Sequence, residues 1–220
     1  RRSVRNCSKI NIRQTDIINN GTFTITNIQL EENLVDTPLW MKHRLQNSGV
    51  NCRNIIVDIS NYVMLETGHP IHCYDNEKIN SFIKSEFDSD DFGLRYAREN
   101  EQVKTIDGSE ISLDKKNALV TCKDIPIALA GVIGISESCV STHSRNIWLE
   151  SAIFDPKIIR ISSRNLGIRT ESSSRFEKGL PAEMALAPVT RAIELLDKFI
   201  GVSSNETFYT NKLDNINAKV

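Results

Sequence analysis

Apolar residues recur along this chain with a period that changes several times, and each change marks a predicted element. An Asn- and Ile-rich lead passes into IQLEENLV near 28–35, which alternates weakly as a strand. Asp36-Thr37-Pro38 reads as a helix start, with Thr37 as N-cap and Pro38 at the first helical position. That helix carries Trp40, Met41 and Leu45, and Gly49 ends it. Across 53–67, Ile56, Ile59, Val63 and Leu65 fall mostly at helical spacing, and Gly68 closes the run. From about 92 the pattern shortens to strands: FGLRYAR, QVKTI, EISL, ALVTC and IPIALAGVIG, with Asp107-Gly108 as a hairpin turn. NIWLESAIF (146–154) alternates as a further strand, and Asp155-Pro156 starts a short helix over 156–165. A last amphipathic helix runs from about 187 to 200, before Gly201, with Pro188 starting or kinking it. SEFDSDD (85–91) is a polar, acidic stretch suited to an exposed loop.

This succession gives an α+β chain with antiparallel-rich sheets flanked by helices. Its 220 residues are enough to bury a real core in one large domain or two small lobes. With 40% hydrophobic and 25% charged residues, the composition excludes disordered, collagenous and coiled-coil classes. A formal net charge of −1 supplies no global cationic field, so any contact with RNA has to be local or shared with a larger assembly. The five cysteines are odd in number, form no CxxC pair and have no His at zinc-finger spacing. They point to a reducing compartment and away from a disulfide framework or structural zinc. No apolar run reaches membrane-span length, and RRSVRNCSKI lacks the apolar core of a signal peptide. The expected setting is therefore cytoplasmic, and the abrupt start without Met reads as that of an excised fragment.

Three segments carry polar residues beside apolar runs that must be buried: IIVDISNYVMLETGHPIHCYD (55–75), NIWLESAIF (146–154) and GIRTESSSRFEKG (167–179). A recessed polar site is built in this way. His72 follows Gly68-His69-Pro70, where a Pro-stiffened turn can hold an imidazole at a cavity rim; on the residues alone the plainer reading is a solvated loop histidine. Glu150 shares a strand face with Trp148 and Ala152, so it either faces water, pairs with an Arg, or accepts hydrogen bonds in a pocket. Gly131 and Gly134 can bring backbone N–H groups close to a ligand, or simply end a strand. Thr170 and Ser172 offer small hydroxyls, or cap the next element. No Ser-His-Asp or Cys-His arrangement, no Gly-rich phosphate loop and no ATP-binding pattern is present.

In order and spacing these segments resemble the B3/B4 region of the bacterial-type phenylalanyl-tRNA synthetase beta subunit. The family pattern runs roughly VDxTNYVxxExGxPxHxxD, AGxxGG, xLExAxF and GxxTxxSxRxExG, and the resemblance covers about residues 38–200. It implies a B3/B4-type domain at 37–200, with 1–36 as a lead strand segment packed on it and 201–220 as a strand or linker to a following domain. It also implies an editing pocket that hydrolyses mischarged Tyr-tRNA(Phe). There His72 orients the water or the terminal ribose, Glu150 contacts the tyrosine hydroxyl beside Gly131 and Gly134, and Thr170 and Ser172 lie at the mouth. Ser60 and Asn61 match the Thr/Ser-Asn pair of the first motif.

The implied partners are the acceptor end of tRNA(Phe) and the synthetase alpha subunit in an alpha2-beta2 assembly, with no DNA and no membrane. No metal or other cofactor is expected in this fragment, since ATP and magnesium serve the whole synthetase elsewhere. The chain departs from the pattern at Ile135, where relatives usually carry a second Gly, and at Asn51, where many carry Arg. Strand alternation turns Gly134 toward the ligand and Ile135 toward the core. These departures and the acidic stretch at 85–91 leave an alternative: a structural or RNA-docking part of the synthetase whose editing pocket has decayed. A freestanding binding module that reuses the fold is the other rival.

Overall fold

The computed structural model describes residues 7–10, 17–31 and 35–210. Its centre is a five-stranded sheet made of β1 (Cys7–Lys9), β2 (Ile18–Leu30), β3 (His72–Asp75), β10 (Asn146–Phe154) and β11 (Val202–Tyr209), in the order β1-β11-β2-β10-β3. β1 and β11 are parallel, and the other neighbours are antiparallel. A four-stranded antiparallel sheet holds β4 (Phe92–Tyr96), β7 (Ala118–Cys122), β8 (Ile125–Leu129) and β9 (Ile133–Gly134). β5 (Glu101–Lys104) and β6 (Glu110–Leu113) form a separate hairpin.

The central sheet is covered on both faces, and the parity of its strands assigns each side chain to one of them. On β10, Ile147 and Leu149 join Ile28 and Leu30 of β2 in a core with α1 (Leu39–Asn47), α2 (Ile55–Thr67) and α6 (Leu186–Phe199). Trp148, Ala152 and Phe154 join Phe23, Ile25 and Tyr74 in a second core with the four-stranded sheet, α4 (Pro156–Leu166) and α5 (Glu171–Phe176). Every β10 residue after Asn146 is buried, as expected of a strand enclosed on both faces. Glu150 belongs to the second face and is 6% exposed.

The capping residues explain most helix boundaries. Asn54 caps α2 by accepting from Val57 N–H, and Gly68 ends it in the left-handed region at φ 77°. Asp155 caps α4, Pro156 is its first residue, and Gly167 closes it at φ 66°. Pro188 lies within the first turn of α6, where its missing N–H costs no helical bond.

Three local expectations are corrected. Thr37 is not the cap of α1: Pro38 holds that position without a side-chain bond, and Thr37 Oγ1 donates to the buried Asp58 Oδ2 at 2.6 Å. A buried carboxylate needs donors, and Asp58 also accepts from Arg53 N–H at 2.8 Å. The early strand is Ile18–Leu30 rather than 28–35, of which 32–34 lie outside the described residues. His72 is not in a loop beyond α2 but begins β3, which leads directly into α3 (Asn76–Ile83), an element the apolar pattern did not announce. At the carboxyl end, β11 is an inner strand of the central sheet, and 211–220 lie outside the described residues.

Candidate functional site

One cavity of about 500 Å³ opens between α2, β3, β10, the β8–β9 turn and the start of α5. His72, Glu150, Gly131, Gly134, Ser60, Asn61, Thr170 and Ser172 all line it. The three sequence segments that carry them therefore meet in space.

Antiparallel pairing of β3 with β10 sets Glu150 directly across from His72, and Trp148 across from Tyr74. His72 and Tyr74 then share a face with Glu150, and Tyr74 sits on the diagonal within reach of its carboxyl. The Tyr74 hydroxyl donates to Glu150 Oε2, and among the described residues it is the one side-chain donor to that carboxylate. No arginine pairs with Glu150 among them. Burial raises the carboxyl to about 7, and the Tyr74 hydrogen bond pulls in the opposite direction.

His72 is half-buried, but its Nε2 is closed off from solvent and makes no hydrogen bond among the described residues. Burial lowers its pKa to about 4, so the imidazole is neutral at neutral pH. Its ring stands edge-on to Tyr74, with centroids 4.6 Å apart. The opposite wall is Gly134, where a Cβ would come within 2.7 Å of His72 Cε1 and 2.9 Å of Nε2. Glycine is what allows this wall to approach the imidazole. Gly131 is demanded by packing: its φ is +65°, and a Cβ would meet Phe154, Ile159 and Phe176 at 2.9–3.0 Å. Ile135 is 2% exposed in the second core and does not line the cavity.

The four small polar residues divide into two kinds. Ser60 Oγ donates to the Val57 carbonyl at 2.8 Å, and Thr170 Oγ1 donates to the Val132 carbonyl at 2.7 Å while accepting from Ser173 N–H. Thr170 thus caps α5 and ties it to the β8–β9 turn, so its hydroxyl is committed to the scaffold. Asn61 and Ser172 have half-buried side chains with no hydrogen-bond partner among the described residues, and their polar groups remain available to a ligand.

Residues 21–201 match the family model of the B3/4 domain. This chain belongs to the B3/4 domain family. It is 43% identical over 189 residues to the phenylalanine–tRNA ligase beta subunit of Prochlorococcus marinus strain MIT 9313, covering 86% of this chain and 23% of that protein. It is 46% identical over 176 residues to the beta subunit of Parasynechococcus marenigrum strain WH8102, covering 80% and 22%. The chain thus spans less than a quarter of the length of these relatives. In fold it is similar to an N-terminal fragment of the phenylalanyl-tRNA synthetase beta-subunit from Pyrococcus horikoshii, with a TM-score of 0.50 at 9% identity over 94% of this chain and 51% of that one. None of the helices described in this B3/4 domain is long and apolar enough to cross a membrane.

Two residues escaped the sequence reading, Tyr74 in the cavity wall and His69 buried outside its lining. Tyr74 stands two positions after His72, and its role follows once HCYD is recognised as a strand. His69 is fully buried: its Nε2 lies 3.0 Å from Ser151 Oγ, whose own proton goes to the Ala185 carbonyl at 2.7 Å. The His69 proton therefore sits on Nε2, and burial lowers this imidazole to about 4. A second cavity of about 310 Å³ shares Arg53 and Asn54 with the first, and Arg53 is exposed.

Proposed function

We propose that this chain is the B3/4 part of a cytoplasmic phenylalanine–tRNA ligase beta subunit, and that its cavity hydrolyses tyrosine wrongly esterified to tRNA(Phe). The observation that carries this reading is the placement of a buried carboxyl, Glu150, directly across a strand pair from a half-buried neutral imidazole, His72, in the wall of one cavity. A pocket built for phenylalanine rejects an added hydroxyl by only about 10²-fold, so a second site that prefers the hydroxyl is useful. Glu150 serves as the acceptor for that phenol. Phenylalanine would leave the buried carboxyl without this partner, at roughly 1–3 kcal/mol.

Water adds to the ester carbonyl, the bond to the ribose oxygen breaks, and that oxygen takes up the proton. His72, held neutral in the cavity wall, orients the water or the ribose hydroxyl, with Asn61 and Ser172 offering further hydrogen bonds. An aminoacyl ester is labile enough for positioning to suffice without a strong base. The proposed assembly joins the alpha subunit of the ligase, which activates phenylalanine with ATP and magnesium, and presents the acceptor end of tRNA(Phe) to the cavity. The chain itself holds no cofactor in this reading.

Deacylation of Tyr-tRNA(Phe) by the ligase carrying His72→Asn tests it; a fall of roughly 10- to 100-fold is expected. An unchanged rate removes His72 from the reaction. One observation favours a second reading, a decayed pocket kept for structure or RNA docking: Glu150 already receives a phenol from within the chain. Absence of tyrosine release by the unmodified ligase would select it.

A further inference from the structure

Tyr74 has no part in the chemistry described above, yet among the described residues it is the largest fully buried side chain and it lines the cavity. Its hydroxyl is spent on Glu150 and its ring packs edge-on to His72, so it touches both groups that the proposed hydrolysis uses. The β3–β10 register explains how one residue does this. His72 and Tyr74 project from the same face of β3, with Glu150 opposite the first and diagonal to the second. The remaining neighbours on this face of the sheet are apolar: Ile25 of β2 is the cross-strand partner of Glu150, and Trp148 and Ala152 flank it on β10.

Among the described residues Tyr74 is the one side-chain donor that directs this carboxyl. Bonded through Oε2, it is held with its other oxygen free of any side-chain donor among the described residues. We propose that Tyr74 is a specificity-determining positioning residue, whose hydroxyl anchors one oxygen of Glu150 so that the other is presented to the phenol of a tyrosyl ester. This rests on the editing reading of the cavity. The carboxyl then serves two phenols at once, one built in and one brought by the substrate. Discrimination depends on the built-in one because a freely rotating carboxyl would lose part of the directed hydrogen bond.

The experiment compares the assembled ligase with its Tyr74→Phe and Glu150→Gln variants and the double variant, using Tyr-tRNA(Phe) and Phe-tRNA(Phe) as substrates. Tyr74→Phe should lower the ratio of tyrosyl to phenylalanyl hydrolysis about 10-fold, through KM for the tyrosyl ester, and leave the phenylalanyl rate nearly unchanged. A merely structural role would lower both rates together. Adding Tyr74→Phe to Glu150→Gln should change the ratio no further, since both act through one contact. An unchanged ratio in Tyr74→Phe, an equal fall on both substrates, or additive effects in the double variant would overturn this assignment alone. Faster tyrosyl hydrolysis in Tyr74→Phe would overturn it too, by making Tyr74 an occupant that blocks the carboxyl. An unmodified ligase with no preference between the two esters would overturn the editing reading, and the assignment with it.

Discussion

Gly134 and His72 face each other so closely that a single methyl group on the glycine would lie 2.7 Å from His72 Cε1. The imidazole cannot retreat freely, because Tyr74 also packs against it, with ring centroids 4.6 Å away. Gly134→Ala should therefore displace His72 and cost roughly 1–3 kcal/mol of stability through overpacking. Tyrosyl-ester hydrolysis should fall by an order of magnitude or more. Denaturant unfolding and a deacylation assay on the same variant check both; retention of full activity would mean that His72 needs no fixed position.

Ile135 gives the opposite test, because its own side chain packs into the core while its neighbour Gly134 lines the cavity. Ile135→Ala should cost about 2–5 kcal/mol as a large-to-small change at a buried site. Hydrolysis should not increase, since the side chain does not line the cavity. A large gain in tyrosyl-ester hydrolysis would show that Ile135 had been obstructing the pocket.

Thr37 and Asp58 supply a prediction remote from the cavity. Thr37→Val removes one of two donors to a buried carboxylate and should destabilise the domain by roughly 1–3 kcal/mol. If Thr37 acted only as a helix cap, Thr37→Asp would preserve stability; with the contact to Asp58 it should instead bring two carboxylates together and destabilise further. Thermal unfolding of the two variants separates these outcomes.

Acid should act through two of the histidines. His69 and His72 fall from an ordinary value of 6.5 to about 4, so between pH 6.5 and 4 the unfolded chain binds protons that the folded chain does not. Their contribution to stability is present above pH 6.5 and is lost as pH falls through 4. Glu150 is raised from 4.5 to about 7 and has the opposite sign: its contribution is full below 4.5 and is lost as pH rises through 7. Replacing His72 with Asn should therefore reduce the drop in Tm between pH 6.5 and 4.5, by calorimetry at the two values. An undiminished drop would mean that His72 titrates normally in the folded domain.

Much of this arrangement was legible because the relevant periods are long and well punctuated. NIWLESAIF alternates over nine residues, and Asp155-Pro156 and Gly167 delimit the following helix in the manner that capping chemistry requires. Six of the eight candidate residues are polar side chains set beside apolar runs, and the other two are glycines within such a run. What remained hidden was short or cross-strand. HCYD is four residues wedged between two helices, too brief for its alternation to register, so the partner of Glu150 could not be read from β10 alone. Thr37 has the sequence context of a cap, but the buried Asp58, 21 positions later, outcompetes the helix for its hydroxyl. Such a contact depends on packing that local sequence does not encode.

The central claim is that Glu150 makes this cavity select a phenol. The direct measurement is the rate at which the ligase releases the amino acid from Tyr-tRNA(Phe) and from Phe-tRNA(Phe), with and without Glu150→Ala. Tyrosyl release is expected to be faster by roughly 10²-fold or more, with the substitution carrying that preference most of the way toward unity. Equal rates for the two esters in the unmodified ligase, or a preference that survives the loss of Glu150, would contradict it.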